Sequence, residues 1–358
     1  MKILIDALGA PASSGGMRLY VDAVVRGWEE AFPDDQLTLL GGKWVEEVFG
    51  NHPRLKVVVW PNDFVGARML GQIAVSALVM YTTRSEAVIS LSSLVTPFVS
   101  KRRRVCVVHD WRHVKNPSEF GAAQLAYRRL WNVSVRHAGT VVGISAKTHA
   151  ETQEIVPGSH GVVVENGRDY VRFWDKLEKS TAPDERRIIT TFGHFANKRP
   201  ELVLDALALL AAEDVGPLQL VVFGATGDYR DSLRQRATDL GILDSCLFPG
   251  FVAQEEYESF VQRSSVVVLA SSDEGFGLPI AEANFLGIPA VVTTDSGLAE
   301  IHHQGLVEAA PDAASVAEAL SYALSGRVPR ADVSGVQTWA DTATGLRTAT
   351  ARSLAALR

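Results

Sequence analysis

SSDEGFGLPIAEANFLGIPAV (residues 271–291) follows the apolar run SVVVLA (265–270) and leads into another, PAVVT (289–293). The first run has the β-branched content of a buried strand, and Leu278 to Leu286 has the apolar density of a helix. Pro279 suits a first helical position, because its missing N–H would have no partner there anyway. The stretch therefore reads strand, glycine-bearing loop, helix, strand, which is the unit of a parallel sheet wound with helices.

The same alternation extends in both directions. Upstream strands are expected at KILID (2–6), QLTLL (36–40), LKVVVW (55–60), AVISL (87–91), RVCVVH (104–109), TVVGIS (140–145) and GVVVE (161–165). Residues 174–186 are charged, proline-bearing and poor in periodic apolar residues, and read as a linker. Beyond them strands are expected at RIITTFG (187–193), LQLVVFG (218–224), CLFPG (246–250), SVVVLA and PAVVT. The fold class is thus α/β, with two doubly wound Rossmann-like domains at 1–173 and 187–335 and a C-terminal helix within 336–358. MLGQIAVSALVMY (69–81) falls short of the roughly 20 residues that span a bilayer and reads as a buried helix.

Length and composition agree with two cores. The chain has 358 residues, 47% of them apolar, and a formal net charge of −6, so no global basic field is present to hold nucleic acid. Its two cysteines, Cys106 and Cys246, lie singly in apolar runs without metal-site spacing, which fits core packing in a reducing cytoplasm. The opening MKILIDALGAP has an apolar run of about five residues, too short for a signal-peptide core, and reads as a first strand.

Doubly wound sheets take ligands at the carboxyl ends of their strands, and the punctuated stretches fall there. Glu274 lies on the loop and Glu282 about one turn into the helix. Gly275 and Gly277, flanking Phe276, bare the backbone where N–H groups and the helix dipole favour an anion. A plain structural turn is the competing reading. The dinucleotide fingerprint fails, since Ile280 stands where its third glycine belongs, and the P-loop fails, since Gly42-Lys43 is followed by Trp44. Gly15 and Gly16 bare a second helix start, with a structural turn equally compatible. Lys198 and Arg199 stand just before a helix start at Pro200, where cations oppose the dipole unless an anion lies nearby. One such cation about 4 Å from a phosphate charge contributes roughly 4 kcal/mol at an effective dielectric near 20, against about 1–2 from a helix terminus. His109 ends a strand beside Asp110, either as a structural histidine or as a functional imidazole.

Gly15-Gly16, His109-Asp110, Val142–Ser145, Glu165–Asp169, Gly193–Arg199, Phe248–Val252 and Glu274-(x7)-Glu282, in this order, resemble the retaining two-Rossmann-domain (GT-B) nucleotide-sugar glycosyltransferases, known as glycosyl transferases group 1. The resemblance covers nearly the whole chain, and Trp339 with the final helix resembles that family's segment crossing back onto the first domain. It implies two domains facing across a cleft and a donor that is a nucleoside-diphosphate sugar. Glu282 is implied to read the donor ribose and Glu274 to lie beside the transferred sugar. Gly275, Phe276, Gly277 and Leu278 would hold sugar hydroxyls and diphosphate. Lys198, with Arg199, Gly15 and Gly16, would neutralise the diphosphate. His109 would touch the sugar, and Phe251 and Val252 would line the base. His194 stands where the family often has a phosphate-binding arginine.

No two aspartates are two residues apart, so an Asp-x-Asp metal pair is absent and activity without a metal or other cofactor is expected. The acceptor would be a saccharide, lipid-linked or small-molecule hydroxyl. Lys101, Arg102, Arg103 and Arg104 form a basic run, read either as a solvated loop or as a contact for anionic lipid or a phosphorylated acceptor. A cytoplasmic enzyme, peripheral at the inner membrane face, is the corresponding expectation. Two other classes compete: a carboxylate-pair glycoside hydrolase using Glu274 and Glu282, and a non-catalytic nucleotide-sugar binder.

Overall fold

The computed structural model describes residues 1–175, 186–211 and 216–356, so residues 176–185 of the expected linker lie outside the described residues. The chain divides into two compact units: Met1–Gly167 with Gln337–Arg358, and Arg168–Val336.

The first unit contains β1 (Lys2–Asp6), β2 (Gln36–Gly41), β3 (Leu55–Val59), β4 (Ala87–Ser90), β5 (Arg104–Val108), β6 (Thr140–Gly143) and β7 (Gly161–Val163). They form one sheet in the order β3-β2-β1-β4-β5-β6-β7, every pair parallel. Leu4, Val88, Cys106 and Val141 pack on one face with Ala77 and Met80 from the Ser76–Thr83 helix. Burial raises the Cys106 and Cys246 thiols to about 12, as expected of packing residues.

The Gly15–Ala31 helix packs against the Trp339–Ala355 helix. Gly27 permits the approach, since a Cβ there would collide with the Trp339 carbonyl, and Gly167 likewise leaves room for the Trp339 amide. Trp339 is fully buried, edge-on to Tyr20 at 5.5 Å. Thr338 and Asp341 close a capping box at the start of this helix, and Arg347 donates to both oxygens of Asp35 at 2.7 and 3.2 Å.

One expectation is corrected here. Residues 69–81 fall within a continuous helical stretch, Val65–Thr83, only a third buried, with Leu70, Leu78 and Tyr81 exposed. Apolar composition alone implies burial, but only one side of the helix meets the sheet.

The second unit contains β8 (Arg187–Phe192), β9 (Leu218–Phe223), β10 (Cys246–Gly250), β11 (Ser264–Leu269), β12 (Ala290–Thr293) and β13 (Leu306–Ala309). Their order is β10-β9-β8-β11-β12-β13, again all parallel. Alternate residues serve opposite faces. Ile189, Leu220, Val222, Val266 and Val268 join the Pro200–Ala211 and Ala313–Leu324 helices in one core. Ile188, Val221, Phe223, Val267 and Leu269 join Ile280 and Ala283 in the other. Each sheet reverses its winding once, between β1 and β4 and between β8 and β11, and those reversals are where loops splay apart and leave a crevice.

Candidate active site

In the second unit the loops after β8 and β11 meet at the point of reversal. The β8 loop runs Gly193 to Arg199, and the β11 loop runs Ala270 to Gly277. Backbone and side-chain bonds knit them: Ser272 N–H donates to the Asn197 carbonyl at 2.9 Å, and Asn197 Nδ2 donates to the Asp273 carbonyl at 3.3 Å. Lys198 and Glu274 form an ion pair here, with both side chains nearly buried. Burial alone would raise the Glu274 carboxyl; the Lys198 ammonium outweighs it and holds the group below the usual carboxylate range.

Arg199 takes a left-handed backbone conformation, φ +46°. Its guanidinium grips Asp295 with two bonds of 2.7 and 2.9 Å and donates to Thr293 Oγ1 at 3.0 Å and to the Ala270 carbonyl at 2.6 Å. In this structure Arg199 is a clamp between the β8, β11 and β12 loops, and Lys198 is the cation that faces Glu274.

The Leu278–Leu286 helix starts at Gly277, whose φ of +76° suits glycine alone and whose missing Cβ avoids the Leu298 side chain. No side chain caps this helix start. The preceding Phe276 is fixed from behind: His302 Nε2 donates to its carbonyl at 2.7 Å, and the two rings pack edge to face at 5.2 Å. A carbonyl only accepts, so Nε2 carries the proton and Nδ1 accepts from Arg168 Nη1 at 3.3 Å. Burial, reinforced by Arg168, pushes the His302 pKa down to about 3, so the ring stays neutral. Arg168 lies in the Glu165–Asp169 segment that carries the family resemblance, though no role attaches to it there, and His302-His303 carries no spacing that marks it in the sequence.

Glu282 is 3% exposed. Tyr257, on the Gln254–Arg263 helix, donates its hydroxyl to Glu282 Oε2 at 2.5 Å, while Oε1 is buried without a hydrogen-bond partner. Burial raises the Glu282 carboxyl to about 8 against the opposing bond from Tyr257. A buried carboxylate oxygen lacking a donor is an energetic cost that a hydroxyl-bearing ligand would relieve. Phe251 projects into solvent, 61% exposed, while Val252 packs against the second core. His194 lies beside Glu274, close enough for its charge to lower that carboxyl, and packs on Phe195 at 4.8 Å.

In the first unit, Gly15 and Gly16 open a 17-residue helix that Ser14 does not cap with its side chain, and a Cβ on either glycine would meet nothing within 4 Å. His109, at the end of β5, donates from Nε2 to the Leu91 carbonyl at 3.0 Å and packs edge-on to Tyr20 at 4.6 Å. Burial lowers its pKa, so the neutral ring keeps Nδ1 as an acceptor. Within the basic run, Arg103 donates to the Ser85 and Glu86 carbonyls and Arg104 to the Pro97, Val99 and His137 carbonyls, while Lys101 and Arg102 are exposed. Among the described residues, no group of three or more His, Cys, Asp or Glu is placed to hold a metal ion.

Residues 172–334 match the family model of glycosyl transferases group 1. Mannosylfructose-phosphate synthase of Agrobacterium fabrum is 33% identical over 121 residues, covering 32% of this chain and 27% of that protein. The chain spans about a quarter of the length of the first curated relatives it matches. Among solved structures, sucrose-phosphate synthase from Thermosynechococcus elongatus superposes with a TM-score of 0.77 at 16% identity, covering 99% of this chain and 100% of that one. Anabaena HepE in complex with UDP-glucose superposes with a TM-score of 0.68 at 18% identity, covering 100% and 99%. Those likenesses show the fold: two Rossmann-like domains of the GT-B type.

Proposed function

We propose, from the match of residues 172–334 to the family model of glycosyl transferases group 1, that the chain moves a hexose from a nucleoside-diphosphate sugar to an acceptor hydroxyl with retention at the anomeric carbon. The observation that carries this reading is the bare, buried Oε1 of Glu282, one turn inside the helix whose entry loop holds the Lys198–Glu274 pair. A ribose hydroxyl donating to Oε1 satisfies that oxygen. Lys198 and the uncapped amides at Gly277 then lie along the loop for the diphosphate, whose charge grows as the glycosidic bond breaks. HepE was solved in complex with UDP-glucose, which makes uridine diphosphate the first nucleotide to test.

In this reading Lys198 exchanges its partner: Glu274 holds it in the free protein, and the departing diphosphate draws on the same ammonium during transfer. Glu274, ionised and close to the sugar, offers an acceptor for a sugar hydroxyl. His109 Nδ1 is a further acceptor for the sugar. Protein cations and helix ends stabilise the leaving group without a metal. Retention without an evident nucleophile is consistent with same-face attack by the acceptor while the diphosphate takes its proton. Titration with uridine, guanosine and thymidine diphosphates, followed by transfer assays with the matching sugars in EDTA, tests the proposal. Unaltered donor affinity in Glu282→Ala refutes the ribose role, and activity lost in EDTA and restored by Mn2+ refutes metal independence.

A glycoside hydrolase is the second reading, because Glu274 and Glu282 are driven to opposite protonation states, as an acid and nucleophile pair would be. Lys198 argues against it by neutralising the carboxylate that would attack. Cleavage of a nucleotide-free aryl glycoside would favour the hydrolase. We further propose a cytoplasmic enzyme touching an anionic membrane through Lys101 and Arg102, next to the exposed Leu78, Tyr81 and Phe98. Co-sedimentation with phosphatidylglycerol vesicles, lost in Lys101→Glu/Arg102→Glu, is the expected result.

A further inference from the structure

Arg128 lies on the Ala122–His137 helix, which follows the loop after β5. Its guanidinium carbon is 4.4 Å from the ring centroids of both Phe120 and Trp131, so the planar head is clamped between two aromatic faces. The Phe120 ring also carries the Arg112 guanidinium at 5.6 Å, which brings two like charges to one ring. Arg112 is ion-paired with Glu119. Arg128 is paired more loosely: Asp110 Oδ1 stands 3.7 Å from its Nη1, an ion pair beyond hydrogen-bonding range, and that nitrogen is buried without a hydrogen-bond partner. Arg68, whose Nε donates to the Asn62 carbonyl at 2.9 Å, adds a third cation. Burial lowers the Arg128 pKa, Asp110 opposes that, and the positive charges of Arg112 and Arg68 lower it further, so the three arginines share one electrostatic neighbourhood with a single nearby carboxylate, Asp110, acting on Arg128.

This cluster adjoins the place where the first sheet reverses its winding. Tyr127, next to Arg128, donates its hydroxyl to Gln72 Oε1 at 2.6 Å, and Gln72 Nε2 donates to Ser92 Oγ at 2.8 Å, just past the end of β4. The arginines therefore stand at the carboxyl edge of the sheet, in the position where doubly wound folds take ligands.

We propose that Arg68, Arg112 and Arg128 form an anion subsite that binds a phosphate group carried by the acceptor. The proposal rests on the glycosyltransferase reading for the word acceptor, but the subsite stands on first-unit residues alone. A carboxylate is satisfied by one guanidinium fork, whereas several forks gathered from different elements match a tetrahedral dianion. The aromatic clamp fixes the Arg128 head in advance, so binding orders little further.

The test uses the full chain labelled with 15N-tryptophan, with the Trp131 indole signal assigned by Trp131→Phe. Inorganic phosphate is expected to shift that signal saturably, and Arg128→Gln to weaken the response about tenfold or more. Arg68→Gln, outside the aromatic clamp, is expected to weaken it as well and keeps the test available if Arg128→Gln fails to fold. Uridine diphosphate affinity should be unchanged in both variants. Glucose 6-phosphate acting where glucose does not identifies a soluble sugar phosphate as the source; nanodiscs with phosphatidic acid acting where plain phosphatidylcholine nanodiscs do not identify a lipid phosphate. No Trp131 shift with any phosphate carrier, or a folded Arg128→Gln that responds like the parent, overturns the subsite. Failure of uridine diphosphate to bind the parent chain would count against the donor reading alone.

Discussion

Tyr257 and Glu282 share a hydrogen bond of 2.5 Å that satisfies one carboxylate oxygen and leaves the other bare. The bond ties the Gln254–Arg263 helix to the Leu278–Leu286 helix and turns Glu282 so that Oε1 is the atom left for a ligand.

The raised pKa of Glu282, about 8, makes this residue a cost to stability at neutral and alkaline pH. Folding holds a proton there that the unfolded chain releases above about 4.5, so stability attributable to Glu282 falls as pH rises between those values and is level beyond about 8. Glu282→Gln removes the titration. Its melting temperature should match the parent near pH 5 and exceed it by several degrees near pH 9, an effect on the order of a few kcal/mol, while donor affinity drops by about 1–3 kcal/mol. Differential scanning calorimetry at the two pH values checks the sign. In the parent, uridine diphosphate affinity should strengthen as pH rises through about 8, because ribose hydroxyls donate best to the ionised group.

Lys198→Met removes the main counter-charge of Glu274. With its pKa held low, Glu274 stabilises the fold above the ordinary carboxylate range, and that contribution is lost as pH falls through its folded value. In the variant this acid limb should flatten and stability at pH 7 should drop by about 3 kcal/mol. Transfer should slow about 100-fold or more through loss of leaving-group stabilisation. Urea titrations at pH 4 and 7 with parallel kinetics separate the two effects.

Gly277→Ala combines a left-handed backbone with a clash against Leu298. About 1–3 kcal/mol of destabilisation is expected. Donor affinity should fall with it, whereas Gly15→Ala, which meets open space, should leave the melting temperature within a degree or two.

His302→Leu keeps the volume but removes the proton that holds the Phe276 carbonyl. Because the ring is neutral with a pKa near 3, the resulting loss, about 1–2 kcal/mol in donor binding, should be the same at pH 6 and pH 9. A loss that varies with pH would mean the imidazole is charged in the free protein.

The alternating architecture was legible because parallel strands buried on both faces read as short β-branched runs. KILID, CLFPG and the helix from Leu278 to Leu286 lie where the sequence places them. The strand Leu306–Ala309 escaped notice because LVEA is four residues long, half-exposed at the sheet edge and holds one β-branched side chain. The Val65–Thr83 stretch misled in the other direction, since composition does not say which side of a helix meets solvent. At the site, the spacing of Glu274 and Glu282 and the position of Lys198 are local facts that a strand-loop-helix pattern exposes. The partners are not local: Tyr257 is 25 residues from Glu282, and Asp295 is 96 from Arg199, so neither pairing leaves a trace in any short window.

The helix that begins at Trp339 completes a unit whose other residues end at Gly167. A ribosome must therefore finish the entire second sheet before the first can seal its indole-filled seam, and a nascent chain halted near residue 330 would present Tyr20 and Gly27 as an open socket for chaperones.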